Sequence, residues 1–341
     1  MSQEILSKLN TTHIEEISSS RNEPEWLKDY RKNSLSVYDN LPIETSPLYN
    51  KYTDAKKMDP DKVSLSTTTA ETIPSFLQKR LGELENEICI IQIGTNIYKI
   101  NLPDELKSKG LVISSISDAI QNNSELVKKA LEASSSEEDR FTALNNAAFN
   151  SGIFIHVPRN LILEKPIYFL TCLSEDGHST ISRNIIFADE SSKATIVQEL
   201  YSPKIETQQA YLELMNTNVG DNAQLDVTTL QMLDQSAVTF STKRTDLGQD
   251  AKVNWYSGLF GSMLSRYKIE YFLNGTGASS NDSEVIFGNN EQSFDIQTNV
   301  NHESPATEGR VVEKSILRNK SKSLFKGMIR IKENASKSNS F

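Results

Sequence analysis

After Gly152 the chain breaks into short runs rich in β-branched and aromatic residues, separated by turn residues and never by a helical stretch. The runs fall at 153–157, 185–187, 194–197, 224–228, 238–240, 253–256, 267–272, 283–287, 293–297, 311–316 and 324–331. They recur roughly every 10–20 residues, and many alternate apolar with polar side chains, the mark of a strand with one buried face. A doubly wound α/β sheet needs helical crossovers, so that fold is excluded. A sandwich, a barrel and a β-solenoid remain. Irregular rung-like spacing with Asn, Gly, Asp and Ser at the corners favours the solenoid.

The first 150 residues read differently. Asn22 is placed as an N-cap with Glu25 at the capping-box position, followed by Trp26, Tyr30 and Val37 on one helical face. That helix should stop at Leu41-Pro42, because the residue before a proline disfavours the helical region. Residues 43–75, rich in Ser, Thr, Lys, Asp and Pro, read as a long connector. A short helical stretch at 76–88 leads to a hairpin of 89–93 and 97–100 around Gly94-Thr95-Asn96. Helical periodicity returns over 114–150, in Ile116, Ala119, Ile120, Val127, Ala130 and Leu131 and then in Ala143, Leu144, Ala147 and Ala148. The expected division is a helix-rich region, 1–150, and a β-helix core, 151–341, in keeping with 341 residues at about 100–200 per domain.

Charge and hydropathy narrow the function class. Lys and Arg number 36 against 45 Asp and Glu, a net charge of −9, which argues against a nucleic-acid partner. The basic run Arg310 to Lys332 is diluted by apolar residues. No window approaches 18 consecutive apolar residues, so no membrane span is expected. The polar opening, Met1 to Glu16, lacks the apolar core of a signal peptide, and the expected compartment is the cytoplasm.

Catalytic signatures are missing from the sequence. No GxxxxGK[ST] phosphate loop occurs, and Gly275-Thr276-Gly277 between two β-runs reads as a plain turn. There is no GxSxG elbow, and His302-Glu303 lacks the second histidine of HExxH. Cys89 and Cys172 stand alone, outside any zinc spacing, and read as buried small hydrophobes. Among the four histidines, His13 is expected in a solvated tail, His156 hydrogen-bonded in a strand and His178 at the surface. His302, with Asp295 and Glu303 nearby, is a weak candidate metal ligand; a hydrogen bond to a neighbouring rung is its plainer role. Trp255 and Tyr256 read as core or interface aromatics. No catalytic or cofactor-binding residue is assigned, and the pattern suits a scaffold better than an enzyme.

Several stretches, in order, resemble the SufB/SufD family of iron–sulfur cluster assembly scaffolds. Glu23-Pro24-Glu25-Trp26-Leu27 through Arg31 is similar to the family's "EPxWL…R" opening, and Ser46-Pro47-Leu48-Tyr49 to the segment after it. Leu144-Asn145-Asn146-Ala147-Ala148-Phe149 with Gly152, then Val157-Pro158 and Glu164-Lys165-Pro166-Ile167, resembles "LNxAF…G…VP…LexPI". Leu324-Phe325-Lys326-Gly327-Met328-Ile329 and Ala335-Ser336-Lys337-Ser338 resemble "vFxGxI…AxxT". The "vFxG" form favours the SufD branch over SufB.

The resemblance implies a right-handed parallel β-helix behind a helical N-terminal region. It implies a non-catalytic scaffold that pairs with a SufB-like subunit and acts with a SufC-like ABC-type ATPase. An iron–sulfur cluster would form only at the partner interface, none being bound by the lone chain. In the family the "AxxT" rung is followed by further β-helix, a "HGA" segment and helices that dock the ATPase. None of these has a counterpart before Phe341, so the chain is expected to be C-terminally truncated, and the "HGA" histidine's role does not pass to His302. Two alternatives stand beside this reading. One is a carbohydrate-active β-helix enzyme using acids such as Asp226, Asp246 and Asp295; the other is a cytoplasmic β-solenoid adaptor with no metal link.

Overall fold

The computed structural model describes residues 8–42, 57–65, 73–136, 138–174 and 178–341. Two sheets face each other, and consecutive strands alternate between them. One sheet holds β5 (Ile167–Cys172), β7 (Lys193–Tyr201), β9 (Gln224–Met232), β11 (Lys252–Leu259), β13 (Ser279–Gly288), β15 (Glu308–Leu317) and β17 (Asn339–Ser340). The other holds β4 (Ile153–Val157), β6 (Thr180–Ala188), β8 (Gln209–Val219), β10 (Ala237–Leu247), β12 (Leu264–Leu273), β14 (Ser293–His302) and β16 (Lys322–Ile331). Each strand lies parallel to the one a full turn later, as where Ser293 sits beside Lys322, so a turn takes about 29 residues. The fold is a parallel β-solenoid of about six turns, with seven α-helices among the described residues of the N-terminal region.

A repeated backbone device sets the pitch. Asn160, Ser191, Asn222, Asp250, Gly277, Ala306 and Lys337 occupy one corner of successive turns, all with positive φ. From Asn160 to Ala306 their amides reach into the next turn. Ser191 N–H donates to Asp221 O at 2.9 Å, Asn222 to Gln249 at 2.7 Å, Asp250 to Thr276 at 2.9 Å and Ala306 to Ser336 at 2.9 Å. Asn, Asp and Gly tolerate the left-handed region; for Ser191 and Ala306 the ladder must over-determine it. Gly275-Thr276-Gly277 is such a corner, a turn as its sequence suggests.

The sheets begin inside the helix-rich part of the chain. Strand β1 (Ile88–Ile93) pairs parallel with β5, and β2 (Asn96–Asn101) closes that edge as an antiparallel hairpin. Strand β3 (Val112–Ser115) closes the other sheet antiparallel to β4. Reversing direction at the first turn leaves no open parallel edge there. The connector expected at 43–75 falls largely outside the described residues; within it, Leu65 bridges Ser179.

Helices α1 (Thr11–Ser20), α2 (Glu25–Asn40), α5 (Ile116–Asn122), α6 (Ser124–Glu132) and α7 (Arg140–Ala148) share a core with the outer face of the second sheet. Helices α3 (Gln78–Glu83) and α4 (Asp104–Ser108) are short. Three expectations are corrected. His13 is no tail residue: its Nδ1 accepts from the Asn10 amide at 3.2 Å, completing the cap of α1. Pro24, not Asn22, precedes α2, and Asn22 turns the chain with φ 50°. The buried face of α2 is Leu27, Arg31, Ser34 and Leu35; Trp26 and Tyr30 lie at its margin. The charge at position 31 disguised that face.

Arg31 is enclosed. Its guanidinium meets Glu23 twice, at 2.7 and 2.8 Å, with side chains 0% and 2% exposed. It also donates to the Ala147 carbonyl at 3.1 Å and lies 3.7 Å over the Phe149 ring. Bidentate geometry and the extra bond offset its desolvation. The pair clamps α2 onto α7, which leads directly into β4. From α7, Asn145 donates to Ser182 O at 2.9 Å, and Asn146 accepts from Arg183 at 2.6 Å. Gly152 then passes so close to Arg183 that a Cβ would lie 1.9 Å from its carbonyl oxygen.

Removing one partner of the clamp strands a buried charge. Glu23→Gln is expected to cost about 3–5 kcal/mol in urea unfolding, and Glu23→Leu/Arg31→Met less than either single change. Equal costs for the single and double variants would contradict the clamp.

Candidate functional site

Between the sheets the solenoid interior is mostly apolar: Ile196, Met215, Leu225, Val253, Trp255 and Ile269 are all buried there. Through its middle runs a polar seam that the sequence did not reveal. Lys243 on β10 is fully buried and donates to Gln198 Oε1 at 2.5 Å and Thr229 Oγ1 at 3.0 Å. Glu213 on β8 lies 3.4 Å from the same ammonium. Glu213 also accepts from Asn184 at 2.7 Å, Ser241 at 2.6 Å, Tyr211 at 3.3 Å and the Gln198 amide. The ammonium stands 5.0 Å from the Trp255 ring and 5.2 Å from that of Tyr267. One cation and one anion are thus held in a low-dielectric interior by amides, hydroxyls and aromatic faces.

Toward the later turns the seam becomes acidic. Asp282 and Glu284 on β13 are buried, and desolvation pushes Asp282 up to about 7 and Glu284 well above the usual carboxylate range. Tyr211, Tyr267 and Tyr271 in the same interior are raised by burial as well. Such a line of polar groups can hold a small polar guest or pass protons. It offers no thiol: Cys89 and Cys172 pack with Leu77, Leu84, Ile91 and Leu170 in a separate cluster, and burial raises the Cys89 thiol. That fits the reading of both cysteines as quiet small hydrophobes.

The residues singled out from sequence do not converge. His302 is buried at the end of β14, its Nδ1 2.7 Å from Thr307 Oγ1 and its Nε2 2.6 Å from Ser340 Oγ. Both ring nitrogens are engaged by hydroxyls, and burial lowers its pKa, so the ring is a neutral link to β17 rather than a free ligand. His156 pairs with Asp189 at 2.7 Å. His178, expected at the surface, is 4% exposed: Ser179 beside it is tied by its amide to the Ser64 carbonyl, which draws this corner inward. Trp255 is in the core, whereas Tyr256 points outward at 42% exposure. Asp226 lies on one sheet and Asp246 and Asp295 on the other. Asp226 accepts from Asn254, Asp246 pairs with Arg244 and Asp295 with Lys326, so no paired-carboxylate cleft forms from them. Among the described residues no three His, Cys, Asp or Glu side chains gather as a metal set.

Comparison with known proteins decides the family. Residues 171–341 match the SufBD core domain of the SUF system for FeS cluster assembly, and residues 8–169 match the SufBD protein N-terminal region. The chain belongs to the SufBD family. Its relatives include an iron-sulfur cluster assembly SufBD family protein of Staphylococcus aureus (strain USA300), 27% identical over 332 residues that cover 93% of this chain and 70% of the relative. A protein of the same description from Staphylococcus saprophyticus is 25% identical over the same shares. The boundary between the two SufBD regions falls between β5 residues, inside the sheet, so both build one solenoid.

The seam went unread because its residues stand at inward positions of strands whose alternation they break. Glu213 in Leu212-Glu213-Leu214 and Lys243 in Thr242-Lys243-Arg244 look like surface charges. The available signal is register: Lys243 pairs with Met215 and Ile269, both core residues, which fixes its side chain inward.

Lys243→Met leaves Glu213 buried without its cation and is expected to cost about 3–5 kcal/mol in chemical denaturation, with a shift in Trp255 emission. Adding Glu213→Gln should restore much of that loss. Strictly additive costs would show that the two charges are not coupled.

Proposed function

We propose that this SufBD family chain is a non-catalytic scaffold subunit of a SUF-type iron–sulfur cluster assembly complex. It pairs with a SufB-like subunit and works with a SufC-like ABC-type ATPase in the cytoplasm. The supporting observation is that both SufBD regions follow each other along one chain, from residue 8 to 341, on a continuous solenoid. The sequence carries no phosphate-loop string, so in this reading ATP is used by the separate ATPase chain. The cluster is cargo, formed at the interface with the partner, whose donors complete what this chain's engaged His302 and buried cysteines do not offer. Among the described residues no helix is long and apolar enough to cross a membrane.

Co-expression with a SufB-like subunit and an ABC-type ATPase from the same genome tests the reading. The expected result is co-elution with the SufB-like subunit, no ATP turnover by the lone chain, and reduced activity of cluster-dependent enzymes on deletion of its gene. Sustained ATP hydrolysis by the lone chain, or unchanged cluster-dependent activity in the deletion strain, would overturn it.

A further inference from the structure

One layer of the solenoid interior carries buried oxygen atoms without partners. Asp282 and Glu284 stand on the inward face of β13, opposite Trp255 and Ser257 of the previous turn. Both are fully buried, at 0% and 1% exposure. Thr298, inward on β14, donates to Asp282 Oδ2 at 3.3 Å. Both carboxylate oxygens of Glu284 meet no hydrogen-bond partner, and the Tyr271 hydroxyl stands beside the Asp282 carboxylate without a well-formed bond to it. Thr298 stands close enough to Glu284 to temper the effect of its burial, yet its hydrogen bond goes to Asp282. The nearest interior ammonium, Lys243, is engaged by Gln198, Thr229 and Glu213 one layer away.

Buried polar atoms almost always have partners, and an unpaired buried carboxylate is among the costliest groups to leave alone. Such oxygens side by side on the inward face of β13 describe a place that something else completes. We propose that Asp282 and Glu284, flanked by Thr298 and Tyr271, form a cation site inside the solenoid that takes a hard divalent ion of the Mg²⁺ or Mn²⁺ class. The donor set is all oxygen, which selects hard ions over thiophilic ones, and the two carboxyl groups, losing their protons as the ion binds, match two positive charges. Glu313 on β15 lies beside Glu284 in register, yet among the described residues no three His, Cys, Asp or Glu side chains gather as a metal set, so water fills the remaining coordination positions. The site stands on geometry alone and is independent of the assembly role proposed above.

Trp255 lies beside Asp282 in register, so a bound Mn²⁺ should quench its emission. The chain's other tryptophan, Trp26, is removed by Trp26→Phe to isolate that signal. In this background, Mn²⁺ titration is expected to give saturable quenching at one site and a raised melting temperature. Glu284→Gln and Asp282→Asn should each weaken the apparent affinity about tenfold or more, while Glu291→Gln on an exposed corner should not. Both interior variants are near-isosteric and replace carboxyl groups whose charged form burial disfavours, so in chelator they should melt no lower than their parent, which separates a lost site from a lost fold. Quenching that never saturates, or that is the same in Glu284→Gln and Asp282→Asn as in the parent, would overturn the proposal and leave water or protons as the occupants of the layer.

Discussion

The hydrogen-bond register between successive turns is the constraint on which this molecule depends. A parallel strand cannot pair with its sequence neighbour without a long return path, so each pairing here spans about 29 residues, as from Ser293 to Lys322. The left-handed corner makes that distance repeatable. One residue per turn, from Asn160 to Ala306, turns its amide toward the next turn and fixes where the following strand starts. Once the start is fixed, every inward side chain stacks on an inward side chain, and a slip of one residue would send the core outward.

That stacking explains how an interior built from Ile, Val, Leu and Trp also holds Lys243, Glu213, Asp282 and Glu284. Glu213 collects donors from its own and neighbouring strands, and Lys243, stacked between Met215 and Ile269, finds acceptors across the gap on β7 and β9. Lys243 and Glu213 are satisfied by partners that register brings together rather than by local sequence, whereas Asp282 and Glu284 are not. The Arg31–Glu23 pair follows the same logic outside the solenoid, where it holds the helices against the first turns.

Much of the fold was legible from residues 153 onward. Strands around 194–197, 253–256 and 293–297 fall where alternation placed them, and the mixture of turns without helices led to a solenoid. Strand β8 was not legible, although it is 11 residues long, because Glu213, Asn216 and Thr217 face buried surroundings and erase the alternation. The period of the coil was hidden as well, since strands recur twice per turn and corner lengths vary. The polar seam was invisible for a deeper reason: its members come from β6, β7, β8, β9 and β10, and only the register joins them. The family, by contrast, showed in short ordered motifs such as Leu144 to Phe149 and Leu324 to Ile329, which mark the entry to the solenoid and a late turn.

The corner ladder also divides the molecule into turns. Because a turn touches only its neighbours, each turn opens with its own stability, set by its own contacts and those of the turns beside it. The amides of Ser191, Asn222, Asp250 and Ala306 sit at equivalent places in different turns, each in one hydrogen bond to the next. Their exchange with solvent deuterium therefore reads the stability of the coil turn by turn, like marks on a dipstick.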